Sequence, residues 1–385
     1  MINKREICIV SSSRADYNHL YLLMKELKEN KGFNLKILIT GMHLMKKYGN
    51  TYQEIIKDGF DISYKVKTQL NETTEFDINY AIGSQFIYAS RILKKIKSDI
   101  IVVLGDRYDI YPIVICSHIM GIPVAHIHGG EVTSGAIDDG IRHSITKLSD
   151  IHFTADSESR KRVIQLGEDP KKIFNVGSLG VEALSNMKYK TKKYIYEKYN
   201  IRKNKDYFII SIHPETIYDL NRELITNIIN ALDVYKEYDL VFTSPNSDTY
   251  SNVILRKINS YVKSNHKRVI FITSLGRFDY LHLIKYSSGV IGNSSSGIIE
   301  APALNIPSVN IGNRQDGRPL SKSVFQSNYF YKSIVKAIAS MNNYKAKKTK
   351  CIPKYREKNT LQKIVEILRD INLTNIKFKK FRDIK

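Results

Sequence analysis

The stretch PVAHIHGGEVTSGAIDDGIRHSITKLSD, residues 123–150, runs from an apolar strand through a glycine turn into an amphipathic helix. Pro123 to Ile127 reads as a strand buried on both faces, as in a parallel sheet. Gly129 and Gly130 let the backbone turn sharply. From Asp138 to Leu148 the pattern is helical, with Ile141, Ile145 and Leu148 on one stripe. Asp138 and Arg142 share another face at i, i+4. A strand delivered into a turn and then a helix is the unit of an α/β fold with a parallel sheet.

The same stretch packs Glu131, Asp138, Asp139 and Arg142 beside His126, His128 and His143, with His152 just beyond. A metal site, an acid/base site and a polar surface loop all deserve weighing. Neither HxxxH nor HExxH is present, so no metal is expected. Asp138 and Asp139 sit in the first helical turn, where the helix dipole favours carboxylates. That explains one of them, but not Glu131, His128 and the aspartate pair together. Acid/base chemistry is the expectation.

The unit repeats along the chain. REICIVS, NLKILIT, DIIVVLG, IPVAHI, DIHFTA and IFNVG alternate with helical patterns. The rhythm breaks over 183–205, which is polar and basic and reads as a linker carrying a short helix. It restarts with YFIISIHPE, YDLVFTS, RVIFITS, SGVIGNS and PSVNIG. The expectation is two doubly wound Rossmann-like α/β domains, 1–182 and 206–350, with a central ligand cleft. Residues 351–385 are expected to form a closing helix and a basic tail.

The chain has 385 residues, 42% hydrophobic and 25% charged, an ordinary globular composition. Its three cysteines are scattered and odd in number, which points to a reducing, cytoplasmic setting rather than a disulfide framework. The N-terminal apolar run is too short for a signal peptide, and no stretch is apolar enough to insert in a membrane. The net charge is +22. Lysine spread over solvated surfaces accounts for it. The densest basic stretches lack the glycine and aromatic interleaving of an RNA-binding motif, so no nucleic acid partner is expected.

Ligands of open α/β sheets bind beyond the carboxyl ends of the strands. After the first strand, SSSRADY places Arg14 and Asp16 at a helix start, a setting that suits a phosphate, although Asp16 also suits a plain cap. GxGxxG is absent, and no cofactor is expected. DIIVVLG delivers Asp106 and Arg107. In the second domain VIGNSSSGIIEAPAL ends a strand at Gly292 and Asn293. Ser294, Ser295, Ser296 and Gly297 then open a helix with Ile298, Ile299 and Leu304 on its apolar face and Glu300 one turn in. Small residues there let a phosphate approach the backbone. Arg314 follows the next strand and could grip phosphate. SIHPET places His213 and Glu215 at the end of that domain's first strand.

These motifs occur in order, with TGMHLMKKYGNTYQEI and KRVIQLGEDPKKIFNVGSLG among them. From about residue 5 to 325 the chain resembles the hydrolysing UDP-N-acetylglucosamine 2-epimerases of bacterial sialic acid biosynthesis. The turn Ser-Arg-Ala-Asp is that of the hydrolysing branch, where the sister branch has Thr-Arg-Pro-Glu. The resemblance implies a glycosyltransferase-B-like fold, a homodimer, and a nucleotide diphosphate held mainly by the second domain. It places Ser294, Ser295, Glu300 and Arg314 on nucleotide-contacting positions. Arg14, Asp16, Asp106, Asp138, Arg142 and His213 fall on active-site positions. One departure stands out: many relatives read His-Ile-Glu-Gly-Gly-Glu, and here His128 replaces the first glutamate while Glu131 matches the second.

The reaction implied is UDP-N-acetylglucosamine and water to N-acetylmannosamine and UDP through a 2-acetamidoglucal. Asp106, Glu131, Asp138 and His213 are the acid/base candidates. Arg14, Arg314 and the Ser294–Gly297 turn would stabilise the departing diphosphate. Arg107, His128, Asp139, Arg142 and Asn293 complete the expected substrate contacts. Related enzymes act instead on UDP- or GDP-linked 2,4-diacetamido-trideoxy sugars. A nucleotide-sugar transferase would share the fold and the phosphate site but would need an acceptor.

Overall fold

A computed structural model describes residues 4–68, 74–134, 136–215, 221–245, 250–273, 275, 277–376 and 378–383. The chain divides into two compact units. One comprises Met1–Val132, Ile137–Ala183 and Tyr355–Lys385; the other comprises Thr133–Ala136 and Leu184–Lys354.

The first unit is built on seven strands: β1 (Arg5–Ser11), β2 (Phe33–Ile39), β3 (Tyr64–Lys65), β4 (Ile100–Leu104), β5 (Val124–Ile127), β6 (Ile151–Thr154) and β7 (Ile173–Asn175). They lie in the order β3-β2-β1-β4-β5-β6-β7, and every pairing is parallel. Apolar layers cover both faces. Ile7, Ile9, Val102 and Ile127 face one layer, and Cys8, Val10, Ile101 and Val103 face the other. Burying one such side chain contributes about 2 kcal/mol, which is why these strands carry almost no polar residues.

The second unit is built on six strands: β8 (Tyr207–Ser211), β9 (Asp239–Thr243), β10 (Val269–Ile272), β11 (Gly289–Gly292), β12 (Ser308–Ile311) and β13 (Val324–Ser327). Their order is β10-β9-β8-β11-β12-β13, again all parallel. Phe208, Ile210 and Phe242 fill one layer, and Tyr207, Ile209 and Val241 fill the other.

The segment 183–205, expected as a linker, holds the end of the Leu179–Asn186 helix and the Lys192–Lys198 helix. Ile195, Tyr196 and Ile201 are buried in the second unit's core. The surrounding basic residues masked these three apolar positions, two adjacent in the helix and one just past it. The chain end returns to the first unit: Ile364, Val365 and Leu368 of the Thr360–Asp370 helix join its core. Beyond that helix, Lys379 Nζ donates to Lys147 O at 2.6 Å and pairs with Glu168 at 2.7 Å. Among the described residues no helix is long and apolar enough to cross a membrane.

Candidate active site

Each sheet reverses its strand order once, between β1 and β4 in the first unit and between β8 and β11 in the second. Such a switch point is where an open α/β sheet leaves room for a ligand. The expected site residues follow these strands or their neighbours β5 and β12.

In the first unit, Ser11 ends β1 and the Arg14–Glu29 helix begins three residues later. Asp16 is spent on that start. Its Oδ2 accepts from the Ser12 and Ser13 N–H groups, both at 3.0 Å, and its Oδ1 accepts from Ser13 Oγ at 2.9 Å. It therefore closes a capping box and rigidifies the turn. Arg14, half-buried, is the first helical residue. Beneath the turn His43 is fully buried, its two nitrogens bonded to Ser11 Oγ at 2.9 Å and Thr51 Oγ1 at 2.8 Å. Burial pushes its pKa down to about 4, against the pull of Asp109.

At the end of β4, Gly105 (φ +83°) turns the chain into Asp106 and Arg107. The two side chains separate. Arg107 Nη2 lies 3.2 Å from Asp109 Oδ2, and both residues are buried. Gln85 holds the Asp109 carbonyl at 3.1 Å, and Asp109 also packs on Gly41, leaving no room for a Cβ there. Asp106 instead pairs with Arg142.

The four histidines around β5 go to four places. His126 Nε2 donates to Gly105 O at 2.7 Å and its Nδ1 meets Thr146 Oγ1 at 3.1 Å, tying the end of β4 to the Asp138–Leu148 helix. It is fully buried, which pushes its pKa down to about 3. His128 turns out of the strand at φ +67°, and its Nδ1 lies 2.8 Å from Glu131 Oε1. His143 faces Asp139 at 3.7 Å on the partly exposed side of the helix, and His152 binds Glu168 at 3.1 Å. Among the described residues no group of three or more His, Cys, Asp or Glu side chains is arranged to hold a metal ion.

Arg142 gathers the cluster. Its Nη1 lies 3.5 Å from Glu131 Oε2, and Nη2 pairs with Asp106. Asp138 and Arg142 are buried on one face of the helix, one turn apart. Residues from β4, β5 and the helix thus meet as Asp106, Arg142, Glu131 and His128. A guanidinium shared by two carboxylates favours the ionised form of both.

In the second unit His213 and Asn293 are locked together across the switch point. The His213 N–H donates to Asn293 Oδ1 at 2.7 Å, and Asn293 Nδ2 donates to His213 O at 2.8 Å. Gln315 Nε2 in turn holds the Asn293 carbonyl at 2.9 Å. Asn293, expected as a substrate contact, uses its amide to brace the His213 backbone.

The turn after β11 departs from expectation. Ser295–Gly297 is a single 3-10 turn with Ser294 as its cap, and the helix that follows spans only Glu300–Ala303. Pro302 lacks the N–H needed to extend it, and Asn305 leaves at φ +63°. Turn N–H groups and serine hydroxyls, rather than a long helix dipole, are what this loop can offer an anion. Ser294, Glu300 and Arg314 are buried. Glu215 is buried too. Burial raises its pKa, although Tyr329 donates to it at 2.6 Å and the Arg314 charge favours its ionised form. Tyr280, its hydroxyl among Ser296, Ser211 and Ser294, has its pKa pushed up to about 12 by burial.

Residues 25–369 match the protein family described as UDP-N-acetylglucosamine 2-epimerase. The chain is 37% identical over 386 residues to the polysialic acid biosynthesis protein P7 of Escherichia coli, covering 99% of this chain and 98% of that one. It is also 37% identical over 327 residues to the GDP/UDP-N,N'-diacetylbacillosamine 2-epimerase (hydrolyzing) of Campylobacter jejuni, covering 85% of each. Its fold matches that of the Neisseria meningitidis UDP-GlcNAc 2-epimerase solved with UDP-GlcNAc, with a TM-score of 0.79 at 17% identity over 94% of this chain and 99% of that one. The fold is the glycosyltransferase-B-like class that the family resemblance implies. A family match over residues 25–369, with a relative 37% identical over 99% of the chain, leads to one conclusion: the chain belongs to the UDP-N-acetylglucosamine 2-epimerase family.

Proposed function

We propose that this chain is a hydrolysing nucleotide-sugar 2-epimerase that converts UDP-N-acetylglucosamine and water into free N-acetylmannosamine and UDP. The observation that carries this reading is the buried Arg142 held by Asp106 and Glu131 at the ends of two central strands. The hydrogen on sugar carbon 2 is not next to a carbonyl and is weakly acidic. Its removal needs the bond from carbon 1 to the diphosphate to break early, with positive charge growing on carbon 1. Carboxylates kept ionised by Arg142 suit that charge and the accompanying proton transfers. Asp138 and His213 are the further acid/base candidates.

The departing diphosphate calls for donors. Arg14, Arg314 and the Ser294–Gly297 turn are the groups assigned to it, with Glu300 toward the nucleotide. Elimination gives a 2-acetamidoglucal and UDP. Water then adds at carbon 1, and a proton reaches carbon 2 from the opposite face.

The Campylobacter relative, named for diacetylbacillosamine, favours a second reading: the same reaction on a UDP- or GDP-linked 2,4-diacetamido-trideoxy sugar. Incubation with a panel of these nucleotide sugars, without any acceptor, separates the two. The highest kcat/KM is expected on UDP-N-acetylglucosamine, with free N-acetylmannosamine as product. Preference for a diacetamido sugar moves the assignment to the second reading. No free sugar from any member of the panel defeats both.

A further inference from the structure

We infer that His128 is a catalytic base of this reaction, with Nε2 as the atom that takes the proton from sugar carbon 2 and Glu131 as its orienting partner. This role rests on the epimerase reading above and names the group left open there.

Two independent features of the structure lead to it. The first is an unused nitrogen. His126 and His43, buried like His128, each spend both ring nitrogens on protein partners. His128 has an ion-pair contact at Nδ1, 2.8 Å from Glu131 Oε1, and its Nε2 is buried with no hydrogen-bond partner among the described residues. Buried polar atoms are nearly always satisfied, so an orphan calls for a reason. His143 and His152 also leave a nitrogen unpartnered. His143, however, rides the partly exposed side of its helix, and His152 stands near the amino end of β6, away from the ligand edge.

The second feature is strain. His128 holds φ +67° in the left-handed region, where a non-glycine residue without local side-chain bonding costs of order 1–3 kcal/mol. Glycine or asparagine would sit there more cheaply. The two residues that follow are already glycines, and Gly130, at φ +77°, would bring a Cβ onto Ser159 O. A chain that tolerates glycine next door yet keeps an imidazole at the strained position retains it for its ring.

A carboxylate at Nδ1 favours the tautomer with its hydrogen there and leaves the basic lone pair on Nε2. It also stabilises the imidazolium once formed. The titratable and charged groups around the ring are Glu131, His19 (ring centroid 5.9 Å away), His126 two residues back and, beyond Glu131, Arg142 and Asp106. In the step itself Nε2 takes the proton and the carbon 2 electron pair becomes the double bond to carbon 1. The bond from carbon 1 to oxygen breaks, and its pair leaves with UDP. Water supplies hydroxyl to carbon 1 and, through a second group on the opposite face, the proton to carbon 2. The imidazolium returns its proton to solvent, so one proton is released with each UDP.

The test uses the full-length enzyme, H128N and H128E. Asparagine accepts a left-handed φ, so H128N removes the ring without distorting the turn. UDP affinity is expected to stay within about threefold of wild type. By the usual contribution of a placed base, kcat/KM of H128N is expected to fall by about 100- to 10,000-fold. In H128E, which restores a basic group at that position, part of the rate returns. H128N with wild-type UDP affinity and kcat/KM within about threefold overturns the role. So does an H128E enzyme that folds and binds UDP as the wild type does yet recovers none of the rate lost in H128N. A wild-type enzyme inert on every nucleotide sugar while still binding UDP defeats the epimerase reading, and this role with it.

Discussion

Arg142 Nη1 lies 3.5 Å from Glu131 Oε2, and both side chains are only 3% exposed. The same guanidinium also pairs with Asp106. Removing it leaves a buried carboxylate without its counter-charge. R142M is expected to lose about 3 kcal/mol of stability, read as a lower denaturant midpoint, and at least about 100-fold in kcat/KM. R142K keeps the charge but not the planar fork that spans two carboxylates, so it should retain most of the stability and little of the rate. R142M with a wild-type midpoint would mean that the cluster is not held as described.

Gly292 and Gly297 flank the serine turn and differ in what an added methyl would meet. At Gly292, φ is +142° and a Cβ would overlap Ser211 O. At Gly297 the nearest atom to a Cβ is 3.6 Å away, an ordinary contact. G292A is expected to unfold the second unit at markedly lower denaturant. G297A is expected to fold with a wild-type midpoint and to keep its UDP affinity within about threefold, because its methyl would lie against Ser308 and Val290 of the sheet. A loss of UDP affinity beyond about tenfold in a stably folded G297A would contradict that placement.

Asp16 is already occupied by Ser12 and Ser13. D16A is therefore expected to cost about 1–2 kcal/mol of stability, as a lost cap does. D16N, which keeps the shape, should lower kcat/KM by less than about tenfold. A loss beyond about 100-fold in a stably folded D16N would return Asp16 to the chemistry.

Two buried histidines set the acid side of the stability profile. His43 and His126 have folded pKa values of about 4 and about 3, below the ordinary 6.5, because burial disfavours the charged ring. The unfolded chain takes up these protons as pH falls through 6.5, whereas the native state does not. Stability is therefore full above about pH 6.5 and falls by about 1.4 kcal/mol per pH unit for each histidine down to about pH 4. Glu168 acts lower. Burial would raise its pKa, but the His152 hydrogen bond and Lys379 outweigh it and hold the pKa at about 2, so its contribution is lost only between about pH 4.5 and 2. Denaturant midpoints at pH 7 and pH 5 measure this, and H43N should show a shallower dependence than wild type. Equal midpoints at the two pH values for the wild type would contradict it.

Eleven of the thirteen strands among the described residues were legible in the sequence because strands buried on both faces read as unbroken apolar runs. The two missed, β3 and β13, are edge strands, short or polar and without that signature. At the candidate site, Asp106, Glu131 and Arg142 were legible because a strand end followed by ionisable residues has a physical meaning. What they touch was not. Asp109 follows Arg107 by two residues, but its pairing depends on Gly41 and Gln85, brought in from other elements. Asn293 was placed at the right strand end, yet its bond to the His213 backbone spans 80 residues. His128 could be flagged from its motif, but neither its left-handed backbone nor its unused nitrogen is written in the sequence.

The most direct test of the proposed reaction is one turnover experiment on UDP-N-acetylglucosamine in deuterium oxide enriched in oxygen-18. The expected product is free N-acetylmannosamine with deuterium at carbon 2 and oxygen-18 at carbon 1, alongside UDP without the heavy oxygen. Retained hydrogen at carbon 2, or oxygen-18 in the UDP phosphate, would contradict the elimination and the role assigned to the Arg142 cluster.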